Sequence, residues 1–99
     1  MAVLVHRNEK KGELVYQVGD VDLDRVRVDW GPAVSYGGGR KPSVSLHNGR
    51  LIEVHQGKNK DKLICQIGQV DTKRQQITFA AATSYDEQGR SPGIALSTK

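Results

Sequence analysis

Two halves of this chain carry one pattern. Shifted by 49 residues, His6 falls on His55, Leu14 on Leu63, Gln17 on Gln66 and Gly19 on Gly68. Val21-Asp22 falls on Val70-Asp71, Trp30 on Phe79, and Ser35-Tyr36 on Ser84-Tyr85. One inserted residue then moves the offset to 50, so Pro42, Val44 and Leu46 fall on Pro92, Ile94 and Leu96. A duplication of this length makes each copy one supersecondary unit that needs a neighbour to cover its apolar faces. The repeats span 2–49 and 51–98 within a single domain, 1–99.

The local pattern inside each copy is that of strands. Val3 and Val5 alternate with Leu4 and His6, and Leu14, Tyr16 and Val18 alternate with Val15 and Gln17. Val26, Val28 and Trp30 predict a further strand, stopped by Gly31-Pro32. Gly37-Gly38-Gly39 reads as a loop. Ser43 to Leu46 leads into Asn48-Gly49, the dipeptide preferred by a type I′ hairpin turn, and Leu51 to Gln56 returns from it. The second copy continues with strands at Leu63–Val70 and Gln76–Ala82 and ends with one at Gly93–Leu96. No segment holds a helical period over a useful length. The expected class is therefore all-β, with two four-stranded units per chain.

Composition narrows what such a chain can do alone. It is 36% hydrophobic and 5% aromatic, low for a self-sufficient core of this size. Its apolar residues are nevertheless regularly spaced and β-branched, which a disordered polar chain does not need. Cys65 is the sole cysteine, so no intrachain disulfide forms, and its alignment with Tyr16 predicts a buried small hydrophobe. No stretch approaches a membrane span, and the first residues lack the basic and apolar regions of a secretory leader. A cytoplasmic protein is the default expectation, with export by another route left open.

A repeat of about 40–50 residues suits one blade of a β-propeller. Labelling the strands of a blade a to d from the Pro-Ser-Val segment, the chain runs b, c, d, a, b, c, d, a. The first blade lacks its a strand and the last a strand has no blade of its own. The strand at Gly93–Leu96 of one chain could then pair with Val3–His6 of the next, closing a head-to-tail ring that removes exposed edges. Two blades per chain make six blades in a trimer, inside the usual range of about four to eight. A dimer, a tetramer and an unclosed sandwich are the alternatives.

The segments Ile52-Glu53-Val54-His55-Gln56, Leu63-x-x-Gln66-Ile67-Gly68-x-Val70, a following aromatic, Ser-Tyr and Pro-x-x-x-Leu resemble tandem repeats of about 50 residues in bacterial proteins. The first copy keeps Tyr16, Val18, Gly19, Val21, Trp30, Gly31, Tyr36, Pro42, Ser43, Val44 and Leu46 of that pattern. The two-blade size is also similar to that of small oligomeric propeller lectins, which take sugars within or between blades. That resemblance implies a carbohydrate-binding, multivalent module. No lectin sugar-contact motif maps onto this chain residue by residue.

Candidate ligand contacts follow from residue chemistry. Trp30, Tyr36 and Tyr85 could stack on the C–H face of a sugar, with Arg40, Arg90, Asp86 and Glu53 to orient hydroxyls. For Trp30 the competing role is filling the gap between blades. His55 lies two residues from Glu53 on one strand face, where the pair could bond a ligand or each other. Six of these residues form the expected site: Trp30, Tyr36, Arg40, Glu53, His55 and Tyr85. The loops Arg7–Glu13 and Lys58–Lys62 carry +3 of the net charge of +4, enough to favour anionic partners, acidic glycans among them. Asp20, Asp22 and Asp24 open like a calcium loop, but Arg25 stands where glycine should follow, and an ordinary hairpin is the better reading. The cysteine and histidines have no zinc spacing, and the three glycines lack the lysine of a phosphate loop. The expectation is a protein with no metal, no cofactor and no catalytic residues, its partners a glycan and further copies of itself, with nucleic acid less favoured. A scaffold or toxin-accessory module that binds protein is the first alternative, and a sialidase-type glycosidase the second.

Overall fold

A computed structural model describes residues 1–58 and 62–85. It is all-β: among the described residues there is no helix, and the strands form two antiparallel sheets. The first sheet holds β1 (Ala2–Asn8), β2 (Glu13–Asp22), β3 (Arg27–Trp30) and β4 (Val34–Gly38). The second holds β5 (Arg40–His47), β6 (Arg50–Gln56), β7 (Leu63–Asp71), β8 (Gln76–Phe79) and β9 (Thr83–Tyr85). The segment at Gly93–Leu96 lies outside the described residues.

Pairing registers recur at the spacing seen in the sequence. Val3 faces Val18 in the first sheet and Ile52 faces Ile67 in the second; Gly19 faces Trp30, and Gly68 faces Phe79. Strand β2 is 10 residues long, and two short strands share one of its edges: β3 pairs with its second half, and β4 with its first. The chain breaks at Gly31-Pro32-Ala33 and then re-pairs. The stretch expected to be loop through Gly39 is therefore partly strand, as is Thr83–Tyr85 against β7. Conversely, Val26 and Ala80–Ala82, expected within strands, lie outside them. Val26 has φ 52° and closes the β2–β3 turn, a role its counterpart Gln75 repeats with φ 52°.

Asn48 and Gly49 take φ 48° and 77°, matching the type I′ turn their dipeptide predicts. Gly39 is another position that only glycine fits. It has φ 149°, and a Cβ there would lie 2.7 Å from the Gln56 carbonyl oxygen and 2.8 Å from the His55 ring. The chain crosses from the first sheet to the second at this point, pressed against β6.

The two sheets pack face to face. Tyr16 and Val18 of β2 meet Leu51 of β6 and Ile77 of β8, with Val3, Val5, Val44, Leu46, Val70 and Phe79 around them. Each such aliphatic side chain taken from water contributes about 1.5–3 kcal/mol. The Tyr16 hydroxyl crosses the joint, accepting from the Ile77 N–H at 3.0 Å. Directly opposed residues in antiparallel strands share a face. The packed face of the first sheet thus bears Val3, Val5, Tyr16 and Val18, and that of the second bears Leu51, Glu53, His55, Ile77 and Phe79. These are opposite faces of the repeated unit: the counterparts of Tyr16 and Val18 are Cys65 and Ile67, and the counterpart of Phe79 is Trp30. The sheets stack head to tail.

Candidate functional site

Tyr36, Glu53 and His55, three of the residues expected to contact ligand, come together within that joint. Glu53 is fully buried in the middle of β6 and His55 is 5% exposed two residues on, on the same face. The Glu53 carboxylate accepts from the Tyr36 hydroxyl at 2.8 Å and from Gln66 Nε2 at 3.1 Å. His55 Nδ1 lies 2.8 and 2.9 Å from its two oxygens, the hydrogen-bonding tautomer being the one protonated at Nδ1. Tyr36 enters from β4 of the other sheet, its ring 5.2 Å from Phe79 and nearly parallel to it. Burial, then the charge of Glu53, then the hydrogen bond to it push the Tyr36 hydroxyl pKa well above the usual tyrosine range. The cluster is a satisfied polar network: no buried side-chain nitrogen or oxygen among the described residues lacks a partner.

The other expected contacts are elsewhere. Trp30 is 43% exposed on the outer face of the first sheet, its ring lying over Gly19. Arg40 is exposed at the start of β5, in register with Gln56. Tyr85 ends β9 opposite Leu63. Arg90 and Asp86 lie outside the described residues. Gln66 joins the site without having been expected there. Its only signal was recurrence at Gln17, and the two amides differ in partner, since Gln17 Nε2 donates to the Gly31 carbonyl at 3.0 Å.

A second feature emerges at one end of the molecule. The loop after β1, the loop after β6 and the crossing from β4 to β5 converge there. Arg7 Nε donates to the Gly39 carbonyl at 3.2 Å, and the Lys58 side chain lies over Gly38, filling the space a Cβ there would need. Asn8 shapes the first loop, its side chain accepting from the Lys10 N–H at 3.1 Å and its carbonyl from the Gly12 N–H at 2.8 Å. The Gly57 N–H closes the second loop on the Lys62 carbonyl at 2.8 Å. Arg7, Lys10, Lys11, Arg40, Lys41, Lys58 and Lys62 gather here against Glu9 and Glu13, with Arg7 and Glu9 in an ion pair. At the opposite end Arg25, Arg27, Arg50, Lys73 and Arg74 are matched by Asp20, Asp22, Asp24, Asp29 and Asp71. Several of these pair locally, Arg27 with Asp29 at 3.3 Å and Arg25 with Asp22 at 3.8 Å. Asp22 thus serves its hairpin, also accepting from the Arg25 N–H. The net positive charge of the described residues is confined to one end.

Among the described residues no group of three histidine, cysteine, aspartate or glutamate side chains could hold a metal ion. No described helix is long and apolar enough to cross a membrane. No family model, curated protein or solved structure matches the chain.

Proposed function

We propose that this chain is a non-catalytic, carbohydrate-binding module whose copies close head to tail into a propeller-type ring, three chains and six blades, and that the ring takes acidic glycans on its basic end. The observation that carries the ligand class is the segregation of charge. Lys10, Lys11, Arg40 and Lys58 are exposed around the crossing at Gly38–Arg40, while the far end is balanced. Several cations on one side of a small rigid body attract an anion before contact and hold it weakly at each site. A ring repeats that surface, so weak sites gain avidity on a multivalent sulfated or carboxylated glycan. The edge of β1 away from β2 takes no other described strand, which suits the strand exchange such a ring needs.

The reading does not depend on aromatic stacking. Tyr36 has its hydroxyl on Glu53 and its ring on Phe79, and Glu53 is enclosed by donors. The same enclosure argues against a glycosidase, which needs two carboxylates open to one substrate. The test is retention on immobilised heparin across a salt series, with Lys10, Lys11 and Lys58 changed to glutamine. We expect elution of the wild type to fall to much lower salt in the triple variant, and neutral sugars not to compete. Retention that the variant leaves unchanged would reject the basic end as the site. Displacement by short duplex DNA but not by sulfated oligosaccharide would make the partner a nucleic acid.

A further inference from the structure

We propose that the outer face of the first sheet of one copy docks onto the outer face of the second sheet of the next, reproducing between chains the joint that the structure holds within one. The inference rests on the ring reading above and specifies where its contact lies. Its ground is the head-to-tail stacking. In the chain's own joint, the face with Tyr16 and Val18 meets the face with Leu51, Ile77 and Phe79. Each sheet has used one of its two faces, and the faces left over are repeat counterparts of the two already joined. On the outer side of the first sheet, Leu4, Val21 and Trp30 are 40%, 41% and 43% exposed. Their counterparts in the packed face are Glu53, Val70 and Phe79. On the outer side of the second sheet Ile67 is 56% exposed, where its counterpart Val18 is 1% exposed. Large apolar side chains are left in solvent at positions whose copies are buried, as Glu53 and Val18 are, or half-buried, as Val70 and Phe79 are.

The substitutions between the copies also match across the proposed contact. Tyr16 and Phe79 meet edge to face, 6.1 Å apart, in the internal joint. Their counterparts are Cys65 and Trp30. The first shrinks and the second grows, so the larger indole takes up part of the space that the smaller thiol leaves. Trp30 is already seated for the role, lying over Gly19 as Phe79 lies over Gly68.

A complementation experiment tests this. Leu4→Lys spoils one face and Ile67→Lys the other; both sites are exposed, and circular dichroism checks that each variant keeps its sheets. Each variant alone should be monomeric by native mass spectrometry. Mixed in equal amounts, they should form a dimer that grows no further, because one intact face of each kind remains. A second measurement needs no charge reversal. A short bismaleimide should link Trp30→Cys chains through Cys65 of the neighbour into a covalent ladder, and should link wild-type chains, with Cys65 alone, not at all. Wild-type dimers cross-linked through two Cys65 residues would overturn the inference in favour of a like-to-like contact. Variants that stay oligomeric while the wild type is a ring would overturn it and leave the ring reading standing on strand exchange. A wild type that is monomeric at high concentration would overturn both.

Discussion

Replacing Glu53 by leucine, the residue that the first repeat carries at the matching position, should destabilise the fold by about 3–5 kcal/mol, because it leaves three buried hydrogen-bonding groups without their acceptor. The figure follows from what remains. Three polar heads point at the carboxylate: Tyr36 Oη at 2.8 Å, His55 Nδ1 at 2.8 Å and Gln66 Nε2 at 3.1 Å. Each buried donor left without an acceptor costs about 1–3 kcal/mol, and the relief of desolvating one carboxylate offsets part of the sum. With a urea m-value of about 1 kcal/mol/M for a small domain, the midpoint should move down by about 3 M or more. Tyr36→Phe supplies the second arm of a double-mutant cycle. Alone it removes a good hydrogen bond and costs about 1 kcal/mol; in the leucine background it removes an unpaired hydroxyl and should restore about that much. The coupling should therefore be about 2 kcal/mol. A shift below about 0.5 kcal/mol for Glu53→Leu, or additive effects in the cycle, would refute the claim that this carboxylate is held for the fold.

Two further outcomes follow from particular geometry. The raised pKa of Tyr36 means that the folded state favours its neutral form, so its contribution is intact below the unfolded tyrosine value of about 10 and is lost as pH climbs above it. Tyrosinate absorbance should then show a tyrosine that ionises only together with unfolding, and Tyr36→Phe should abolish that coincidence; a smooth titration complete before the sheets melt would contradict it. Val26 is 88% exposed and holds φ 52°, a conformation that costs a side-chain-bearing residue about 1–2 kcal/mol relative to glycine. Val26→Gly should accordingly raise the melting temperature by several degrees, and an unchanged or lower melt would show that the turn is not strained.

Much of the fold was legible because the sequence repeats and its apolar residues alternate. Val3–Val5, Leu14–Val18 and Leu51–Gln56 lie in strands with the expected faces, and Asn48-Gly49 makes the expected turn. The spacing of Glu53 and His55 also placed both on one face. Strands β4 and β9 were not legible, because Val34-Ser-Tyr-Gly-Gly has the glycines of a loop. It becomes a strand because β2 is longer than β3 and offers unpaired backbone groups that the returning chain satisfies. Gln66 was hidden for a different reason. An amide gains its role here from a carboxylate on the adjacent strand, and strand register is a tertiary property. The gathering of cations at one end likewise needed the crossing at Gly39, which brings Arg40 and Lys41 beside loops far away in sequence.

The difference between Leu4 and Glu53 then has a physical reading. A polar network adds little net stability to an interface, because desolvating its charges offsets much of their attraction. It does penalise misalignment, since a shifted register would leave the carboxylate without donors. Within the chain, the crossing at Gly37–Gly39 already holds the two sheets together, so their joint carries no translational cost and can carry such a network. Between chains, association must first overcome about 4–15 kcal/mol of lost translational and rotational freedom. Leucine at that position brings apolar area and no desolvation penalty. On the proposed docking, the polar key sits at the tethered joint and the apolar one at the joint made by association, which is the distribution that lets two copies of one unit form an aligned pair and still assemble.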